Sequence, residues 1–195
     1  MAVTFPLRFL TVFRLAVMVV MLAAAPRHAA ASTYDVLFGP VLPAQRLAST
    51  ANTSKWFVEF RARGGSPVGH SYVVLGVRNA SGTERIVRVA GFYASMGVVG
   101  TTASIIGVPG VIGYKKTDLG KASVRYRRSL TRGAFARIER AIIQAAKHPG
   151  TFTMLSNNCN AFVARIARMI GLRAPRSTAV HAPTYVKQMI ALNRQ

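Results

Sequence analysis

The chain has 195 residues, with 26 Lys plus Arg against 5 Asp plus Glu, a formal net charge of +21, a single cysteine and 51% apolar residues. That length suits one ordinary domain, and the apolar share is enough for a core. A lone thiol excludes disulfide scaffolds, cysteine-held iron–sulfur clusters and Cys-rich zinc modules, and so few acids argue against a carboxylate-lined calcium or magnesium cage.

Residues 1–31 carry Arg8 and Arg14, then the apolar run Leu15 to Ala25, then Ala29-Ala30-Ala31. This is the charged, apolar and small-residue order of a secretory signal, with cleavage expected near Ala31 and Ser32 as the mature start. The run is about half of the roughly 20 residues a spanning helix needs, so a cleaved signal is preferred to an anchor. The expected location is therefore outside the cytoplasmic membrane, periplasmic or secreted. Residues 32–55, rich in Pro, Ala, Ser and Thr without a sustained period, read as an arm or linker, and 56–195 as the single domain.

From Trp56 to Arg63 the residues Trp56, Val58 and Phe60 alternate with Phe57, Glu59 and Arg61, which predicts a strand. Gly64-Gly65-Ser66-Pro67 supplies a turn, His70 to Val77 a second strand, Asn79-Ala80-Ser81-Gly82 another turn, and Arg85 to Ala90 a third strand. Short turns between neighbours imply an antiparallel meander. Residues 91–113 hold six glycines and are expected to form a mobile apolar loop, either a substrate flap or an ordinary long connection. Its Gly107, Gly110, Gly113 and Lys115-Lys116-Thr117 do not make a phosphate loop, because the glycine and lysine spacing is wrong.

A short strand is expected between Ser123 and Ser129. A helix then starts at the N-cap Thr131, with Phe135, Ile138, Ala141, Ile142 and Ala145 on one face and Lys147-His148 at its negative end before Pro149-Gly150. Thr151 to Leu155 reads as extended. A second helix runs from about Cys159 to Ile170 and stops at Gly171, with Cys159, Phe162, Val163, Ile166 and Ile170 on its apolar face. His181 falls in a Pro-flanked C-terminal tail.

Cys159 thus occupies the first turn of a helix, where unpaired N–H groups and the positive end of the macrodipole favour a thiolate. The plain alternative is a buried structural cysteine, common for free thiols. A nucleophile needs a base. His28 leaves with the signal, His148 suits a helix end and His181 lies in the tail, whereas His70 opens a strand and can project towards the start of a helix packed on the sheet.

The segments Gly69-His70-Ser71-Tyr72-Val73-Val74-Leu75 and Asn158-Cys159-Asn160-Ala161-Phe162-Val163 resemble the histidine-strand and cysteine-helix motifs of the circularly permuted papain-like hydrolases. That superfamily includes permuted NlpC/P60, lecithin retinol acyltransferase-like and PPPDE-like proteins, and in it, as here, the histidine precedes the cysteine. Gly91-Phe92-Tyr93, Gly171-Leu172 and Pro175 also fit exported bacterial members. The resemblance implies an α+β fold, an antiparallel sheet with packed helices in the permuted papain-like arrangement. It implies Cys159 as nucleophile, His70 as the base that takes its proton, and the Cys159 backbone N–H at the oxyanion. Members usually orient the imidazole with a polar residue on the adjacent strand; no His or Asn stands there, and Tyr93 or Asn158 is the substitute expected.

No metalloprotease motif, paired carboxylates or nucleophile elbow competes, and no cofactor or metal is called for. A zinc site from Cys159, His70 and His181 would need the tail to fold back. The expected activity is hydrolysis or transfer of an amide, ester or thioester acyl group through a cysteine acyl-enzyme, on a cell-wall peptide or a lipid. The rival is a non-catalytic cationic domain that binds anionic lipid or cell-wall polymer. The excess charge, densest at Arg125, Arg127 and Arg128, predicts non-specific attraction to polyanions. No basic region, zinc finger or aromatic RNA-binding signature points to specific nucleic-acid binding.

Overall fold

The computed structural model of the chain describes residues 55–65, 68–95 and 103–194. The expected signal peptide, residues 32–54 of the expected arm, the turn residues Ser66 and Pro67, and residues 96–102 of the expected loop lie outside the described residues. The residues described all fall in one compact unit.

The fold is α+β. Strands β1 (Lys55–Arg63), β2 (His70–Arg78), β3 (Glu84–Ala94), β4 (Val108–Gly113), β5 (Val124–Leu130) and β6 (Thr151–Phe152) form one antiparallel six-stranded sheet in the order β5-β1-β2-β3-β4-β6. Helices α1 (Arg132–Lys147), α2 (Cys159–Arg168) and α3 (Ala182–Leu192) complete it. The period of two in β1 divides its side chains as the sequence predicts. Trp56, Val58 and Phe60 join Val73 and Leu75 of β2, Phe92 of β3 and the apolar residues of all three helices in the main core. Phe57, Glu59 and Arg61 take the opposite face, and they too are buried.

Burying charge on that face requires partners. Glu59 binds Arg61 and Arg127, and Glu84 binds Arg78 and Arg127, so much of the β5 cationic cluster is spoken for inside the fold. Asp118 binds Arg63 and Glu139 binds Arg88, so every acid among the described residues is paired with an arginine. The Arg127 guanidinium also lies 4.0 Å over the Phe57 ring, a cation–π contact.

The expectation of a loop over 91–113 is corrected. β3 runs on to Ala94, a single helical turn covers Ala103–Ile106, and β4 pairs with β3 through Gly91↔Gly113 and Phe92↔Ile112. The glycines misled because they serve close packing within strands rather than turns. A Cβ on Gly110 would stand 2.2 Å from the Phe92 ring, and one on Gly76 would stand 2.3 Å from Phe57. The tail is also corrected. It forms α3, with Pro183 in its first turn and Ala182, Tyr185, Val186 and Met189 buried in the core.

The first two helices follow their sequence signals. Thr131 caps α1 by accepting from the Ala134 N–H, and Phe135, Ile138 and Ile142 are its buried stripe. α2 is buried nearly all round, with Arg165 and Arg168 at its C-terminal end, where cations suit the macrodipole. After it, Gly171 takes φ +77, the left-handed conformation that ends helices at low cost.

Candidate functional site

Cys159 is the first residue of α2 and is only 8% exposed. Its helix start is fixed by two asparagines. The Asn158 side chain accepts from the Ala161 N–H at 3.0 Å and donates to the carbonyls of Met154 and Thr178. Asn160 accepts from Ser71 Oγ at 2.8 Å and donates to the carbonyls of Thr178 and Val180. Strand β2, the start of α2 and the segment entering α3 are thereby laced together around the thiol. Asn158 is committed to this lacing and makes no hydrogen bond to His70.

His70 opens β2 after Gly69, whose φ of +67 and whose contact with the Arg63 carbonyl, 2.6 Å from where a Cβ would lie, require glycine. The alternation of β2 sends Val73 and Leu75 towards the helices, and Tyr72 and His70 to the other side. His70 and Cys159 therefore share surroundings only at the end of the strands. There both line one cavity of about 270 Å³, with Arg63, Phe92, Tyr93 and Lys115 among its walls. No hydrogen bond joins the thiol to the imidazole among the described residues.

The His70 ring is clamped. It stacks on Tyr93 with centroids 4.1 Å apart, and on Tyr72 at 5.8 Å. Its Nε2 is buried without a hydrogen-bond partner and lies 2.3 Å from where a Cβ of Gly91 would stand. Burial drives the His70 pKa down from 6.5 to about 3, with Asp118 opposing and Arg63 and Lys115 reinforcing the shift. The imidazole is neutral at physiological pH.

Behind Tyr93 lies a residue that the sequence reading did not single out. Asp118 sits in a short 3₁₀ turn, Lys116–Leu119, and is fully buried. Its carboxylate accepts from the Tyr93 hydroxyl, from Arg63 Nε at 2.9 Å and from the Lys115 backbone N–H at 2.9 Å. Burial, then Asp118, push the Tyr93 pKa far up, so the phenol keeps its proton and acts as the donor. Burial opposes the charge of Arg63, yet its hydrogen bond and attraction to Asp118 leave its pKa raised.

A second cavity, of about 190 Å³ and mostly apolar, is also lined by Cys159, together with Val68, Phe152, Met154, Leu155 and Val180. His181, the N-cap position of α3, also lines it, with Nε2 3.3 Å from where a Gly69 Cβ would be. The C-terminal segment thus folds back to a cavity that Cys159 also lines. Even so, among the described residues no three His, Cys, Asp or Glu side chains gather to hold a metal ion.

Comparison with family models, with curated proteins and with solved structures returns no match.

Proposed function

We propose that the protein is a cysteine hydrolase or acyltransferase of the permuted papain-like type, acting on an amide, ester or thioester through a Cys159 acyl-enzyme. The observation that carries this reading is that Cys159, at the start of α2, and His70, at the start of β2, line one cavity although 89 residues separate them in sequence. In the reaction, the neutral His70 takes the thiol proton in step with the attack of sulfur on the acyl carbon, since its lowered pKa disfavours a resting imidazolium–thiolate pair. It then returns that proton to the leaving group, and water or an acceptor alcohol or amine releases the acyl group. The Cys159 backbone N–H, unpaired within the helix, faces the developing oxyanion.

The two cavities lined by Cys159 support a substrate with one apolar and one polar part. An apolar cavity of roughly 150 Å³ holds a benzene ring, so the 190 Å³ one suits an apolar side chain or short acyl group. The other, with Arg63 and Lys115, favours a polar or anionic portion beyond the cleaved bond. A cell-wall peptide and a short lipid ester both carry such groups. The signal-like residues 1–31 support action outside the cytoplasmic membrane.

The test is single-turnover acylation by p-nitrophenyl butyrate, followed by intact mass and p-nitrophenol release. One adduct on the folded protein, lost in Cys159→Ser and strongly slowed in His70→Ala, supports the reading. An adduct that forms only after denaturation would make Cys159 a core residue and leave the cationic domain as a binder. If His181→Ala removes the adduct while His70→Ala leaves it unchanged, the base is not His70.

A further inference from the structure

The Nε2 of a papain-type histidine needs something to fix its ring, and here the adjacent strand presents glycine. Gly91 leaves that nitrogen with no partner, and no side chain holds the imidazole by a hydrogen bond from the strand beside it. What the fold provides instead is a stack with a buried anchor. Tyr93 covers the ring at 4.1 Å, and its hydroxyl donates to a carboxylate that no solvent reaches. That carboxylate is pinned by Arg63 of β1 and by the backbone of Lys115. Three segments distant in sequence thus converge behind one imidazole.

Resting on the reading of Cys159 and His70 as nucleophile and base, we infer that Asp118 is the positioning residue of the site, holding the His70 ring through Tyr93 in place of a hydrogen-bonded third member. The burial of Asp118 makes sense on this account. A carboxylate that only balanced Arg63 would be better placed in solvent, because burying an ion pair costs several kcal/mol of desolvation per ion. The arrangement has a second consequence. When His70 accepts the thiol proton, its new positive charge faces Arg63 on β1, Lys115 ahead of the 3₁₀ turn, the neutral phenols of Tyr72 and Tyr93, and Cys159 across the cavity. Among the described residues Asp118 is the only acid that favours that charge, and it acts in a low-dielectric setting where one charge matters.

The experiment compares Asp118→Asn and Tyr93→Phe with the wild type in two readouts, the acylation rate and the ring ¹⁵N resonances of His70. The Phe variant keeps the stacked ring and deletes only the hydroxyl, so it carries the test if Asp118→Asn fails to fold. Both variants are expected to slow acylation about 10²-fold, the loss associated with misplacing a reacting group by about 1 Å. Both are also expected to shift the His70 ring resonances. With His70→Ala in place, Asp118→Asn should slow acylation no further. An equal loss in the His70→Ala background, or ring resonances that do not move, would mean that Asp118 merely supports the fold. The outcomes separate the two claims. If His70→Ala is slow while Tyr93→Phe and Asp118→Asn match the wild type, the positioning role alone is wrong. If Cys159 never acylates, the hydrolase reading is wrong, and the ring resonances still decide whether Asp118 holds His70.

Discussion

Acid should weaken the fold through His70. In the folded chain its pKa stands at about 3, against 6.5 unperturbed, because its ring is buried at the sheet end with two cations nearby. The unfolded chain therefore binds a proton that the native state refuses between those values, and stability must rise with pH across that window. Above pH 6.5 neither state is protonated and the effect vanishes. Below it, the loss approaches about 1.4 kcal/mol per pH unit, reaching about 2 kcal/mol at pH 5 and about 3 kcal/mol at pH 4. Urea unfolding of wild type and His70→Gln at pH 7, 6, 5 and 4 isolates this contribution, since glutamine does not titrate. The gap in unfolding free energy between the two proteins should shift in favour of His70→Gln by those amounts as pH falls. Parallel curves from pH 7 to pH 4 would show that the imidazole accepts its proton in the folded state, and would remove the neutral, clamped His70 from the argument.

Three further substitutions probe the same architecture. Gly91→Ala puts a methyl group 2.3 Å from His70 Nε2, so the ring must move; acylation should fall about 10²-fold, with the melting temperature measured alongside to exclude unfolding. Gly76→Ala drives a Cβ to 2.3 Å from the Phe57 ring and should cost about 1–3 kcal/mol in urea unfolding, a loss that Phe57→Leu in the same chain should partly relieve. Asn160→Ala leaves Ser71 Oγ and the Val180 carbonyl without this partner, while the Thr178 carbonyl keeps Asn158, and should destabilise by about 1–3 kcal/mol while loosening the cavity wall beside Cys159; hydrogen exchange at Val180 and His181 would register it.

What the sequence makes legible here is whatever repeats along the chain or closes within a few residues. β1, α1 and α2 announce themselves by period, and α1 also by its cap Thr131, whose bond to Ala134 spans only three residues. β4 does not, since its pattern Val108-Pro109-Gly110-Val111-Ile112-Gly113 reads as a loop until Phe92 is known to need the space above Gly110. α3 had a signal, Pro183 in the first turn followed by Tyr185, Val186, Met189 and Ile190 at helical spacing, but the flanking prolines suggested a tail. Asp118 had none. Its partners Tyr93 and Arg63 lie 25 and 55 residues away, and only the register of β1 and β3 within the sheet brings them to one carboxylate. The same register pairs Gly91 with Tyr72 and puts it beside His70 Nε2. β3 thus leaves the space at His70 Nε2 free of a side chain, and the connection after β4 brings a buried carboxylate behind Tyr93.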